Sequence, residues 1–246
     1  MIGLLLPSYG RIIDLCKTIE NTPLTNNMKF IIVANYPDDI LKDLARVYHD
    51  RAIIIDEKAY GKLGATKAFS LAYHTATELG FSHVISYSDD IIPFEPNWGQ
   101  RLEDIFFSHD LPMGIFSTDE CHFGHFGWNI MGYAPIAHML ILKCGILPSL
   151  LSQEYKKYVA DLDISVRILR TGHSIALLPI KFNHLRAPTH RNEMLSDYEY
   201  DKAIFLSKYP EYQKYFGVDG EQYIPDDGRF RITSSDTIYK TEPWPK

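Results

Sequence analysis

Residues 81–98 read FSHVISYSDDIIPFEPNW, and the fold turns on how this stretch is read. The apolar run Val84–Tyr87 predicts a buried β-strand that leads directly into two adjacent carboxylates, Asp89 and Asp90. Pro93 and Pro96 follow, and they predict that the strand does not resume. A strand interior cannot hold two unpaired carboxylates, because desolvating either one costs several kcal/mol. The pair therefore belongs at the strand's C-terminal end, facing solvent, a cation or a ligand. That edge of an open α/β sheet is where ligands bind. Adjacent carboxylates repel until a positive charge joins them, and a hard ion such as Mg2+ or Mn2+ is the usual one. Asp is also a favoured turn residue, so a plain turn cap is the competing reading of the pair taken alone.

The chain upstream favours the ligand edge. IGLLL (2–6) is a continuous apolar run that ends at PSYGR (7–11), as expected of a strand covered on both faces. Ile12, Leu15, Cys16 and Ile19 then recur at helical spacing. KFIIVAN (29–35) predicts a second strand, Pro37-Asp38-Asp39 a helix start, and AIIID (52–56) a third strand. Strand, helix, strand, helix, strand is the order of a doubly wound nucleotide-binding half. No GxGxxG follows the first strand and no GxxxxGK[ST] occurs, which argues against a dinucleotide dehydrogenase or a P-loop enzyme. The PSYGR turn suits a flat base against its backbone and ring, or is an ordinary turn. In YGKLGATKAFSLAYHTATELG (60–80), Gly61 and Gly64 permit close backbone approach, and Lys62 and Lys67 lie near a helix N-terminus. Helix N-termini attract anions, so a diphosphate fits there; solvated surface lysines are the alternative.

Downstream, a helix is expected near Asn97–Phe107 and a strand at Met113–Ser117. His122, His125 and His138 are spaced 3 and 13 apart, which matches no i, i+4 ligand pair. A substrate-facing loop and hairpin is the better reading, with Trp128 and Tyr133 as stacking platforms or core rings. PIAHMLILKCGILP (135–148) predicts a strand and a short helix. In VADLDISVRILRTGHSIALLP (159–179), Asp161 precedes a helix whose buried stripe is Leu162, Val166 and Leu169, and Gly172 ends it. Asp161 reads either as an N-cap or as a general base at the mouth of a cleft. SIALLP is a further strand, and His184 lies just beyond it, near Arg186 and His190, as a structural histidine or a metal ligand. From Glu193 the chain is tyrosine-rich and helical. Residues 1–215 read as one domain, and 216–246 as an extension: a lid, a partner arm or a disordered tail.

Composition narrows the function. A net charge of −6 argues against non-specific nucleic-acid binding, which rests on Lys and Arg neutralising phosphates. Cys16, Cys121 and Cys144 are odd in number and lack CxxC spacing, which favours a reducing compartment and no zinc site. The apolar run at the N-terminus is too short for a signal peptide or a membrane span, so a cytoplasmic protein is expected.

With those residues in order, the chain resembles the GT-A-fold nucleotide-sugar glycosyltransferases, in particular the broad family 2 group, from about residue 2 to about residue 190. LLLPSYGR is similar to the family's first strand and base-contacting turn, with Gly10 where Asn is usual. KFIIVANYPDD resembles the second strand, whose Asp commonly binds uracil; here Asn35 ends the strand and Asp38 is nearby. GATKAFSLAYHTA resembles the next helix, with Ser70 in place of Asn. ISYSDD is similar to a DXD motif whose first Asp has become Ser88. ADLDISVRILRTG resembles the EDxDLSxRxxxxG block, with Ala160 in place of Glu and Asp161, Asp163, Ser165, Arg167 and Gly172 retained.

The resemblance implies a Rossmann-like α/β domain with a mixed, mostly parallel sheet flanked by helices. It implies a nucleotide-sugar donor, a UDP-sugar first, held by Pro7, Ser8, Tyr9, Arg11, Asn35, Asp38, Gly64, Lys67, Ser88 and Asp89. Asp90 and His184 would hold Mn2+ or Mg2+, and Asp161 would act as the base of an inverting transfer to an acceptor glycan or other hydroxyl. Two other readings stand beside it. A nucleotidyltransferase would need a glycine-rich basic loop after the first strand, which PSYGR matches poorly, and Ser88 and Ala160 suit a non-catalytic binding module. The tyrosine-rich C-terminal region is a candidate homodimer contact.

Overall fold

The three N-terminal apolar runs become parallel strands β1 (Ile2–Tyr9), β2 (Met28–Asn35) and β3 (Ala52–Asp56), joined through helices α1 (Ile12–Asn21) and α2 (Asp38–Val47). A computed structural model describes residues 1–109, 111–118, 139–156, 159–173, 175–184, 191–215 and 239–240. After β3 the chain makes a 3-10 turn (Glu57–Tyr60) and helix α3 (Ala65–Glu78), then enters β4 (His83–Ser86), which pairs parallel to β1. The remaining elements are β5 (Ile91–Pro93), α4 (Trp98–His109), β6 (Met113–Thr118), β7 (Leu140–Lys143), α5 (Ala160–Arg170), β8 (Ile175–His184), α6 (Arg191–Lys208), a 3-10 turn (Pro210–Tyr215) and β9 (Tyr239–Lys240).

The sheet runs β3-β2-β1-β4-β7-β6-β8-β5, with β9 added to β8. Its long ladders, β1 with β2 and β3 with β2, are parallel; β7 runs antiparallel to both β4 and β6. Strand alternation divides the core between two faces. Leu4 and Leu6 of β1 pack with Leu15 and Ile19 of α1, Leu41 and Leu44 of α2, and Trp98 and Phe106 of α4. Leu5 packs on the opposite face with Ala68, Ala72 and Ala76 of α3 and with Leu162, Val166 and Leu169 of α5. This assignment follows from the handedness of parallel crossovers. Two steps outward, β1 to β2 to β3, place α1 and α2 on one face. The return step from β3 over β1 to β4 places α3 on the other. Each fully buried Leu contributes roughly 1.5–3 kcal/mol, so the alternation fixes register.

Four boundaries differ from the sequence reading. β4 ends at Ser86, one residue early; Tyr87 still donates its N–H to the Leu5 carbonyl of β1 at 2.8 Å, and the turn follows at Asp89 and Asp90. Pro93 does not stop the sheet but ends β5, which among the described residues is an edge strand paired only with β8, where a missing N–H is tolerated. The stretch after β7 forms no short helix; the chain turns at Gly145, φ 83°. β8 continues through Pro179 to His184, and its register against β6 shifts between Ile115 and Ser117, which accommodates the proline. Among the described residues, no helix is long and apolar enough to cross a membrane.

Candidate active site at the carboxyl edge of the sheet

β1 and β4 are neighbours, but the chain leaves them toward opposite sides of the sheet, and this switch point is where open α/β sheets place their ligand crevice. Ser8 and Arg11 stand on one lip, and Ser88, Asp89 and Asp90 on the other. Asp89 is 1% exposed and Asp90 7%, so of the expected surroundings (solvent, a cation or a ligand) bulk solvent is not the one that covers the pair. Arg11 explains how: its Nη2 lies 2.7 Å from Asp89 Oδ1 and its Nη1 3.2 Å from Asp90 Oδ2. The Ser88 hydroxyl donates to Asp90.

A directed hydrogen-bond chain holds Asp89 from behind. Its carboxylate only accepts, so the Ser8 hydroxyl donates to Oδ2 at 3.0 Å. The Ser8 oxygen then accepts from the Tyr36 hydroxyl at 2.7 Å, and the Tyr36 oxygen accepts the Arg11 backbone N–H at 3.1 Å. Thr18 of α1 donates to the Asp89 carbonyl at 2.9 Å and pins the turn. Oδ1 is buried without an aligned hydrogen bond, so Arg11 reaches it as charge alone. Burial pushes the Asp89 carboxyl above the usual carboxylate range; Arg11 and Ser8 pull it down, and Asp90 adds to the rise.

An under-coordinated buried oxygen beside a second carboxylate fits a hard divalent cation. Among the described residues no group of three or more His, Cys, Asp or Glu gathers there. Most of an ion's shell would come from phosphate oxygens and water, the usual state of Mg2+. His184 ends β8 directly opposite Ile91 in the antiparallel ladder, so its backbone lies one residue in register from Asp90. It is the last residue of the strand and does not lie beyond it; its side chain is outside the described part of the structure.

A second cluster lies on the other face of the same edge. Tyr9 and Asn35 are register partners, and Gly64 stands at the start of α3 with φ 73°, a value that favours glycine. The Tyr9 hydroxyl lies 3.3 Å from Glu57 Oε1 and 3.5 Å from the Gly64 carbonyl. Burial and then the Glu57 charge push the Tyr9 phenol up. Pro7 is partly buried, and Lys62 and Lys67 are exposed. Asp38, the first residue of α2, is exposed and ion-paired with Lys58 at 2.8 Å, which lowers its carboxyl.

Asp161 is not an N-cap. α5 begins at Ala160, and Val159 takes the cap position at φ 58°, a strained conformation for a β-branched residue. Asp161 therefore sits in the first turn; its side chain is outside the described part. Ser165 is buried, so α5 is covered well beyond the expected stripe. Fully buried Asp163 is the hub of this region: it accepts from Arg167 Nε at 2.7 Å, Tyr209 at 3.0 Å and Tyr155 at 3.1 Å. His122, His125, His138, Trp128, Tyr133, Arg186 and His190 lie outside the described residues, as does the tail apart from β9.

Tyr36 and Glu57 were not singled out from the sequence. A tyrosine just past a strand and a glutamate in a DEKAY turn look solvent-facing, and only the strand order buries them.

No family model matches the chain, and no curated protein matches it in sequence. Solved structures do match. Glucosyl-3-phosphoglycerate synthase from Mycobacterium tuberculosis, in complex with Mn2+, UDP and glucosyl-3-phosphoglycerate, is 15% identical, with 99% of this chain and 90% of that one covered at TM-score 0.58. Mannosyl-3-phosphoglycerate synthase from Rubrobacter xylanophilus is 12% identical, covering 99% and 87% at TM-score 0.63. A mannosyltransferase from Pyrobaculum calidifontis with GDP-Man and Mn2+ is 12% identical, covering 90% and 65% at TM-score 0.64. The fold is therefore GT-A, the mixed α/β architecture of nucleotide-sugar glycosyltransferases.

Proposed function

We propose that this chain is a metal-dependent glycosyltransferase that moves a sugar from a nucleotide-sugar donor, a UDP-sugar first, to an acceptor hydroxyl with inversion. One observation supports the reading: in a GT-A sheet, two buried adjacent carboxylates stand at the carboxyl edge against Arg11, and Asp89 Oδ1 accepts no aligned hydrogen bond. Asp90, with Asp89 and His184, would hold Mn2+ or Mg2+, which would neutralise charge developing on the departing diphosphate. Ser8 and Tyr36 orient Asp89, and Arg11 supplies a positive charge at the same lip. Tyr9, Asn35 and Gly64 form the edge where the base would lie.

Asp161 enters by its place in the sequence block and in the first turn of α5. Its carboxylate would take the acceptor proton as the acceptor oxygen bonds to the anomeric carbon. The bond from that carbon to the diphosphate breaks, and the nucleoside diphosphate leaves with the electron pair. One base and one displacement invert the centre. Free Cys16 and Cys144 suit a reducing compartment such as the cytoplasm. The test is transfer by Asp161→Asn: turnover is lost while donor binding persists. Unchanged turnover removes Asp161 from the role.

A further inference from the structure

Glu57 is fully buried, carries no recognisable motif, and has no part in the chemistry above. It sits in the 3-10 turn after β3, and three donors converge on its carboxylate. The Leu63 N–H and the Tyr9 hydroxyl reach Oε1 at 2.6 and 3.3 Å. Asn35 Nδ2 reaches Oε2 at 2.7 Å. A carboxylate offers only acceptors, so the group that Asn35 turns toward it must be the NH2. The orientation of this amide follows from chemistry, where an isolated amide would be ambiguous. Asn35 Oδ1 is left on the opposite side of the amide, at an exposed residue, with no hydrogen-bond partner among the described residues.

We propose that Glu57 is a positioning residue that locks Asn35 as a one-way acceptor and so selects the donor's base. A fixed acceptor pairs with a ring N–H, which uracil, thymine and guanine carry. Cytosine and adenine present an acceptor nitrogen in its place, and two acceptors facing each other leave both unpaired. A free amide would turn over and serve either class; the buried carboxylate removes that choice. Tyr9, tied to the same carboxylate and adjacent to Asn35 in register, sets a ring beside the amide. This inference rests on the nucleotide-sugar reading of the crevice.

The test is calorimetry of UDP, GDP, CDP and ADP, each with Mn2+, on the unaltered chain, Asn35→Ala and Glu57→Gln. The unaltered chain binds UDP or GDP roughly tenfold or more tighter than CDP and ADP. Asn35→Ala, an exposed change, loses that ratio. Glu57→Gln narrows it, because a glutamine NH2 lets the Asn35 amide turn. If Glu57→Gln does not fold, the other two proteins decide the base ratio. Equal binding of CDP, or a ratio that survives Asn35→Ala, overturns the inference while the donor reading stands. A ratio lost in Asn35→Ala but intact in Glu57→Gln removes Glu57 from the role. Absence of binding by any of the four overturns both.

Discussion

Arg11 Nη2 lies 2.7 Å from Oδ1 of Asp89, a carboxylate oxygen that is buried and makes no aligned hydrogen bond. The same guanidinium reaches Asp90 at 3.2 Å, so one cation is shared by both carboxylates. Without it, two buried like charges would face each other. Arg11→Ala is therefore expected to destabilise the metal-free protein by about 1–3 kcal/mol, discounted because Arg11 itself is partly exposed. Mn2+ should then raise the variant's melting temperature more than that of the unaltered chain. Equal melting temperatures without metal would contradict the counter-charge role.

Tyr36 donates to Ser8 and accepts from the Arg11 N–H, so Tyr36→Phe breaks the chain that holds Asp89 at two points. The expected cost in denaturant melts is about 1–3 kcal/mol, with no change in the slope. A loss under about 0.5 kcal/mol would mean that water replaces the hydroxyl.

Asp163 ties α5 to Tyr155 and to Tyr209 beyond α6 while paired to Arg167, which also donates to the Ser149 and Leu150 carbonyls at 2.9 and 2.6 Å. Asp163→Ala leaves the guanidinium without its carboxylate and is expected to cost roughly 3–5 kcal/mol. Thermal melting checks this.

The same cluster sets an alkaline limit. Burial first, and the Asp163 charge second, push the phenols of Tyr155 and Tyr209 well above their ordinary value of 10.0; burial and Glu57 do the same for Tyr9. In the unfolded chain these protons leave near pH 10 while the folded chain keeps them. The folded state then binds more protons, so stability is fully present below pH 10 and falls as the pH rises above it. Denaturant midpoints measured across that range should decline, and less so in Tyr155→Phe relative to its own value at neutral pH.

The parallel half of the sheet and the carboxylate pair were legible in the sequence because both rest on local signals. Apolar runs of strand length predicted β1, β2 and β3, and Asp89-Asp90 after an apolar run marked the carboxyl end of β4. Glu57, Tyr36 and Asp163 were not legible, because their burial depends on which strands become neighbours. Asp163 was retained in a sequence block, yet nothing local tells a buried hub from a solvated helix charge. Pro93 misled for the same reason: a proline forbids a central strand but not an edge, and edge status is decided by topology. The N-cap of α5 lies two residues before Asp161, because Val159, at φ 58°, is a residue that rarely starts a helix this way.

The Asp89–Asp90 edge should bind a nucleotide sugar through a divalent cation, and calorimetry with UDP- and GDP-sugars, each with Mn2+ and with chelator, is the decisive measurement. The expected result is binding of one nucleotide class that requires Mn2+ and disappears in Asp90→Ala while the variant remains folded. Binding that is indifferent to both chelator and Asp90→Ala, or a response only to a nucleoside triphosphate, would contradict it.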